Sequence, residues 1–460
     1  MKPVTRHRYR LPLLSTLAVA TILVATGCGS IDLLQRFQTD TSASQVPQEM
    51  ATLWEIYEHL DRDYGGRETV NQRILSQGAI QGMLDFLDEA GQTGNTLTDY
   101  DLDTPDLGSV WEAWRDISAI LESEDTGLDV QDIQTAAISG LLAALNDPYT
   151  RYLNPDFYSL EREAYHSDFE GIGTWVRMPK DQLTVVAPMA DSPAEQAGIL
   201  AGDIILEVDG VPLQGLSLSE ATLRIRGPRG TPVELLVLHL GSDSPVLITV
   251  IRGVIKQPTV IWDPLPSIDG IAYLRISQFL DDTDDELEKA LEEIASQDYD
   301  ALIVDVRSNP GGLLSTAINA TSQFLKDGLV IYQVDGHGNR TETKVKKGGL
   351  ATEILLVILV NGSSASASEI LAGAVQDHQR ATLIGTKTFG KGSVNDLRKL
   401  TDGSGLYLTY ALWYTPDGGL IEGEGLVPDI VVPAIAGPTG DSQLSFAIAF
   451  LQERIAVPVG

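Results

Sequence analysis

The chain has 460 residues, too many for one ordinary core, and its 43% apolar and 21% charged residues are those of a folded, multidomain protein. Its 64 acidic and 32 basic residues give a net charge of −32, which argues against a nucleic-acid or polyphosphate partner. Cys28 is the single cysteine, so no intrachain disulfide forms.

The only charges before Cys28 are Lys2, Arg6, Arg8 and Arg10. They precede an apolar run from Leu11 to Ala25, which is short for a membrane-spanning helix. Residues 1–27 therefore read as an export signal. Ala25-Thr26-Gly27-Cys28 resembles a bacterial lipoprotein signal, which implies diacylation of Cys28. A cleaved secretory signal and a retained anchor are the alternatives; all three export the chain, and the cell envelope is the expected location. The lipid-anchored form would lie on the outer side of the cytoplasmic membrane or in the periplasm. Residues 28–48 are polar and read as a flexible tether.

Residues 49–165 carry a helical pattern with a weak internal repeat. Leu53-Trp54-Glu55 followed by Gly78 to Leu84 parallels Val110-Trp111-Glu112 followed by Ala137 to Leu142. Two amphipathic hairpins that each bury one face would also look alike. Gly91 to Gly108 is the expected loop between the halves.

Residues 166–256 change to short strands and turns. Gly171-Ile172-Gly173 leads into a strand at Thr174 to Arg177. Ser192 to Gly198 is a capped short helix with a glycine stop, and Gly202 to Gly210 is a strand entering a tight turn. Ser219 to Arg226 is helical. The segment resembles a PDZ domain. That implies a groove in which an extended peptide adds as a strand, its carboxylate held by the backbone of Gly171, Ile172, Gly173 and Thr174.

Residues 257–433 alternate strands and helices, and Ser442 to Ile455 reads as a final helix within a tail at 434–460. Ser364-Ala365-Ser366-Ala367-Ser368-Glu369 joins an apolar strand to a helix, where backbone N–H groups are free. A serine there is a fit nucleophile, and Lys391 in Phe389-Gly390-Lys391-Gly392 is a candidate base if burial lowers its pKa. Asn309-Pro310-Gly311-Gly312 forms a turn with exposed N–H groups, suited to an oxyanion but also common as a plain turn. His378 lies in the helix that Ser366 opens, about 18 Å along its axis, too far to act as base. A structural or solvated role is expected for the other histidines. No metal-ligand spacing occurs, so neither metal nor cofactor is expected.

Together these motifs resemble the C-terminal processing peptidases, or tail-specific proteases. Asp147-Pro148-Tyr149-Thr150-Arg151-Tyr152-Leu153 and Gly425-Leu426-Val427-Pro428-Asp429-Ile430 belong to the same resemblance. It implies a multidomain α+β protein: a helical amino-terminal region, a PDZ-like β-rich domain, and a crotonase/ClpP-like α/β serine protease core. It also implies an endopeptidase with Ser366 as nucleophile and Lys391 as base, and an oxyanion hole from Ala367 and Gly311 or Gly312. Ser363, Ser364 and Ser368 are left as capping or packing residues. Substrates would be proteins or peptides recognised through their carboxyl termini. The family usually has glutamine four residues after the lysine, where its amide orients the ammonium. Here that position is Asn395, one methylene shorter. In some relatives a basic residue of the PDZ helix gates the site, and Arg226 is the candidate, with Arg224 second. By the same analogy the helical region and the last helix are the parts that would carry a homodimer. An inactive PDZ-containing binding protein of this fold is the alternative function, and a crotonase-like acyl-thioester enzyme is a more distant one.

Overall fold

The computed structural model describes residues 46–66, 70–90, 105–123, 129–163, 165–265, 268–435 and 440–456. The expected export signal at 1–27, the lipidation site Cys28 and most of the tether lie outside the described residues. So does most of the expected loop at 91–108.

Helices α1 (Ala51–Asp63), α2 (Gln72–Glu89), α3 (Leu107–Ser123) and α4 (Val130–Ala143) come first. Their starts follow from capping: Asn71 accepts from the N–H groups of Arg73 and Ile74, and Asp129 from that of Gln131. Leu53, Ile56, Tyr57 and Leu60 fall on one buried stripe of α1, as helical spacing requires. The repeat is explained by how the halves meet. Helix α1 packs on α4 and α3 on α2, while α2 crosses α4 directly. Trp54 and Trp111, equivalent in the repeat, meet edge-on at 6.4 Å. At the crossing, a Cβ on Gly140 would lie 2.1 Å from the Gly78 carbonyl oxygen, and one on Gly78 would lie 2.4 Å from that of Gly140. The two backbones approach this closely only without side chains.

Strand β1 (Arg151–Leu153) and helix α5 (Pro155–Glu163) lead into the β-rich segment. That segment holds β2 (Asp168–Gly171), β3 (Thr174–Arg177), β4 (Leu183–Pro188), α6 (Pro193–Gln196), β5 (Ile204–Val208), β6 (Val211–Pro212), α7 (Leu218–Ile225), β7 (Pro232–Leu238), β8 (Val246–Ile251) and β9 (Gly253–Lys256). Its sheet runs β3-β4-β5-β7-β8, with β6 on β5, and β2 pairs separately with β9. Alternate residues Val233, Leu235 and Val237 of β7 turn inward with Ala221 and Ile225 of α7. Helix α7 begins at a capping box formed by Ser217 and Glu220.

The last part contains β10 (Val260–Pro264), β11 (Ile271–Ile276), α8 (Thr283–Ala295), β12 (Ala301–Asp305), α9 (Leu314–Ser322), β13 (Leu329–Asp335), β14 (Arg340–Lys344), β15 (Leu355–Val360), α10 (Ala367–Asp377), β16 (Thr382–Gly385), β17 (Ser393–Lys399), β18 (Gly405–Tyr414), β19 (Ile430–Val431) and α11 (Ser442–Ile455). One sheet runs β10-β11-β12-β15-β16-β19, parallel except for β10. Both faces are covered at its centre, so β12 and β15 are buried almost end to end and nearly all apolar. Leu302 and Val304 of β12 face α8, α9 and α10, whereas Ala301 and Ile303 face Ala447 and Leu451 of α11. Arg307 binds Asp305 and Asp441, each at 2.6 Å, and fastens the start of α11 beside the end of β12. The second sheet centres on β18, which pairs with β1, β13 and β17.

Gly140→Val is expected to overpack the α2–α4 crossing and lower unfolding free energy by about 1–3 kcal/mol. Ser139→Ala, on the exposed neighbour, should stay within about 0.5 kcal/mol. Denaturant unfolding of the two variants measures the contrast.

Candidate active site

The end of β12 and the end of β15 open side by side, and Asn309 stitches their loops together. It is fully buried. Its amide donates to the Ile276 carbonyl at 2.9 Å and accepts from the Gly311 N–H at 2.8 Å. Its backbone carbonyl accepts from the Ala365 N–H at 3.0 Å and from the Ser368 hydroxyl at 2.8 Å. Ser364, also fully buried, donates to the Val306 carbonyl at 2.7 Å. Ser364 and Ser368 are thus spent on holding the loops.

Ser366 stands at φ 54° and ψ −113°, a strained conformation for a residue with a side chain. It precedes the first turn of α10. Gly311 lies directly against it: a Cβ on Gly311 would sit 2.8 Å from the Ser366 Cβ and 2.9 Å from the Ala367 nitrogen. Among the described residues no acceptor is found for the N–H of Gly312 or of Ala367. Gly311 leaves the expected donor set, because its N–H is already given to Asn309. An Asn two residues before a glycine signals such a side-chain turn.

Nothing in the sequence alone gives Glu369 a role, yet it joins the two chemistry-bearing loops. It has no exposed surface. Its carboxylate accepts from the Ser366 N–H at 2.8 Å, the Thr388 hydroxyl at 2.6 Å, the Gly390 N–H at 2.7 Å and the Lys391 N–H at 3.0 Å. Burial raises its pKa above the ordinary glutamate range, against these four donors, which favour the charged form. The available signal was its place in the first turn of a helix otherwise lined by small and apolar residues.

Lys391 and Ser366 line one cavity of about 590 Å³, together with Gly311, Gly312 and Ala367. Burial pushes the Lys391 ammonium below the ordinary lysine range, and Arg151 acts in the same direction. Glu161, Glu422 and Asp147 pull it partly back. Among the described residues no carboxylate oxygen lies within 4.0 Å of its Nζ. The amine instead stands over the rings of Tyr149 and Tyr407, at 5.1 and 5.8 Å from their centroids.

Asn395 also lines this cavity, but its amide is engaged elsewhere. It donates to the Thr409 hydroxyl at 2.8 Å and accepts from the Ser393 hydroxyl at 3.2 Å. A register shift between Val394 and Asn395 in the β17–β18 pairing accompanies this arrangement. The expected contact from Asn395 to Lys391 is therefore absent in this structure.

At the β-rich segment, Gly173 has φ 76°, and a Cβ there would meet that of Ser192 at 2.5 Å. Among the described residues the N–H groups of Ile172 and Gly173 have no acceptor, and β3, starting at Thr174, is the sheet's edge. Arg226 follows α7 and lies over the Phe169 ring at 4.9 Å, near Gly171. It does not line the Ser366 cavity. It lines a second cavity of about 490 Å³ between α5, β2 and the end of α7. Helix α5 serves both: Tyr158 and Arg162 line the first cavity, and Asp156, Ser159 and Leu160 the second. Among the described residues no histidine lines the Ser366 cavity; His378 is bonded to the Leu329 carbonyl at 2.7 Å and His239 lies beside Asp203 at 2.9 Å.

Residues 270–432 match Peptidase family S41, and residues 184–238 match the PDZ domain family. The carboxy-terminal-processing protease of Bartonella bacilliformis is 41% identical over 310 residues, covering 66% of this chain and 70% of that one. The carboxyl-terminal-processing protease of a Synechocystis species is 41% identical over 301 residues, 64% of this chain and 70% of that one. That of a Picosynechococcus species is 37% identical over 340 residues, 72% and 82% respectively. Among solved structures, the photosystem II D1 C-terminal processing protease superposes with a TM-score of 0.50 at 27% identity, covering 84% of this chain and 94% of that one. With matches of this extent in both the peptidase and PDZ segments, the chain belongs to the carboxyl-terminal-processing serine proteases of peptidase family S41.

Proposed function

We propose that this chain is an exported endopeptidase in which Lys391 is the base for Ser366 and the PDZ domain receives the substrate's carboxyl tail. The observation that carries the reading is the shared cavity: a strained serine, a lysine whose pKa burial lowers, and two backbone donors without acceptors. Neutral Lys391 takes the Ser366 hydroxyl proton as the oxygen attacks the scissile carbonyl. The N–H groups of Ala367 and Gly312 receive the oxyanion. The lysine ammonium then returns its proton to the departing amine, leaving an acyl-enzyme that water hydrolyses with the same amine as base.

The substrate enters as an extended strand. Among the described residues β17 pairs with β18 alone, and its residues 393–397 line the Ser366 cavity. The opposite edge of β17 is the place for a peptide backbone. In the PDZ domain the tail lies along the free edge of β3, with its carboxylate on the N–H groups of Ile172 and Gly173. Anchoring through Cys28 and location in the cell envelope are part of the same proposal, resting on the basic and apolar amino terminus. The engaged Asn395 amide favours a second reading, an inactive binding protein. A fluorophosphonate that fails to label Ser366 in the purified protein would support it.

Ser366→Ala and Lys391→Ala should each lower kcat on an unstructured protein substrate by at least about a thousandfold. Undiminished proteolysis in either variant refutes the dyad.

The base works only when neutral, so kcat/KM should rise with pH through the Lys391 pKa and then level off. Because burial lowers that pKa, the rise is expected below the ordinary lysine range near pH 10.4. A pH–rate profile places it.

Glu369→Gln leaves two of four donors facing an amide NH2. Hydrogen bonds to a charged group are worth about 1.5–3 kcal/mol each, so the loss should appear in thermal unfolding. It should also cost about a hundredfold in kcat by misplacing both loops. Parent-like kcat and Tm would show that the carboxylate is dispensable.

A further inference from the structure

The Asp147 to Leu153 motif has no part in the mechanism above, yet it is built against the base. Asp147 fixes a turn by accepting from the Tyr149 N–H at 2.9 Å and the Thr150 hydroxyl at 2.7 Å. Thr150 in turn accepts from the Thr409 N–H at 3.1 Å, and β1 pairs Arg151 with Tyr407. These bonds deliver the Tyr149 ring to one side of Lys391. Tyr407, on β18, supplies a second ring, itself held by a 3.0 Å bond to the Tyr165 hydroxyl. Arg151 lies over the same Tyr407 ring at 4.9 Å and pairs with Glu161 at 2.7 Å.

We propose that Tyr149 and Tyr407 are the positioning residues of the lysine base, doing here what an amide at position 395 does not. The proposal rests on the assignment of Lys391 as base. Both Nζ-to-centroid distances, 5.1 and 5.8 Å, are within cation–π reach. The Asn395 amide is committed to Thr409 and Ser393. The rings stay neutral: burial pushes the Tyr149 phenol up to about 12 and raises that of Tyr407 further. Neutral faces attract the ammonium without pairing it, so the lysine is located yet still able to lose its proton. A carboxylate in the same place would hold the charge instead.

Tyr149 also lines a polar cavity of about 290 Å³, with Asp147 and Glu422, that Lys391 does not line. The charged groups that act most on Lys391 are Arg151 on β1, Glu161 on α5, Glu422 after β18 and Asp147 before β1; Arg162 of α5 and Asp396 of β17 line the same cavity, and the Glu369 carboxylate of α10 accepts from the Lys391 N–H. Tyr149→Ala opens Lys391 to that acidic cavity and to water. Burial is the largest influence lowering its pKa, so this variant raises the pKa and moves the acid limb of kcat/KM to higher pH. Tyr149→Leu keeps the apolar wall but loses the ring's attraction for the ammonium, and moves the limb to lower pH.

The test is kcat, KM and the pH profile of the full chain and its variants. Tyr149→Ala should lower kcat by about tenfold or more, with KM changed by less than about threefold. Tyr149→Phe, which keeps the ring, should restore most of the rate. Asn395→Ala should cost at least about tenfold less than Tyr149→Ala. If Tyr149→Ala does not fold, Tyr149→Leu carries the test through its limb shift. Parent-like kcat and an unmoved limb in both variants overturn the proposal, as does an Asn395→Ala loss equal to that of Tyr149→Ala. An inactive Lys391→Ala beside a fully active Tyr149→Ala overturns the aromatic positioning alone. A fully active Lys391→Ala removes the base assignment and this proposal together.

Discussion

The Glu369 carboxylate receives four hydrogen bonds from the start of α10 and from residues 388–391, and the same Thr388 hydroxyl accepts from the Leu426 N–H at 2.7 Å. A buried carboxylate costs several kcal/mol in lost hydration. Four donors at about 1.5–3 kcal/mol each are what offset it. The consequence is register. The loop bearing Ser366 and the loop bearing Lys391 come from different strands, and neither is long enough in regular structure to fix the other. Their shared acceptor does so through backbone N–H groups, leaving both reactive side chains clear of the clamp.

The backbone around the serine follows the same economy of donors. Asn309 consumes the Gly311 N–H and ties two strand ends together, while the N–H groups of Gly312 and Ala367 stay open. Ser366 keeps its positive φ in close contact with Gly311, which offers no Cβ to collide with it. Strain and close approach are thus two sides of one packing arrangement. The PDZ loop repeats the pattern on a smaller scale, with Gly173 pressed on Ser192 and open N–H groups beside it.

Much of this was legible in the chain. Alternating apolar strands and helices, the glycine loop of the PDZ segment and the Ser366 and Lys391 motifs all announce themselves through short-range chemistry. The crossing at Gly78 and Gly140 was visible as a repeat, but its meaning was not, because nothing local says that the halves clasp each other. Glu369 reads from sequence as an ordinary first-turn acid, since its partners lie about twenty positions downstream. Asn395 was placed by its offset from the lysine, and the irregular β17–β18 pairing sends its amide to Thr409 instead. Tyr149 is one aromatic among several, and only the fold sets its ring beside an amine. In each case the missing information is long-range pairing.

Helix α5 has nine residues, about 13 Å of rigid rod. One side contributes Tyr158 and Arg162 to the chamber around Ser366, and another contributes Leu160 to the chamber beside Arg226. Its Glu161 holds Arg151, one of the charges that Lys391 senses. A strut of this length does not flex within itself. Both chambers therefore borrow wall from the same helix of about two and a half turns, and a substitution on α5 changes the lining of one or the other.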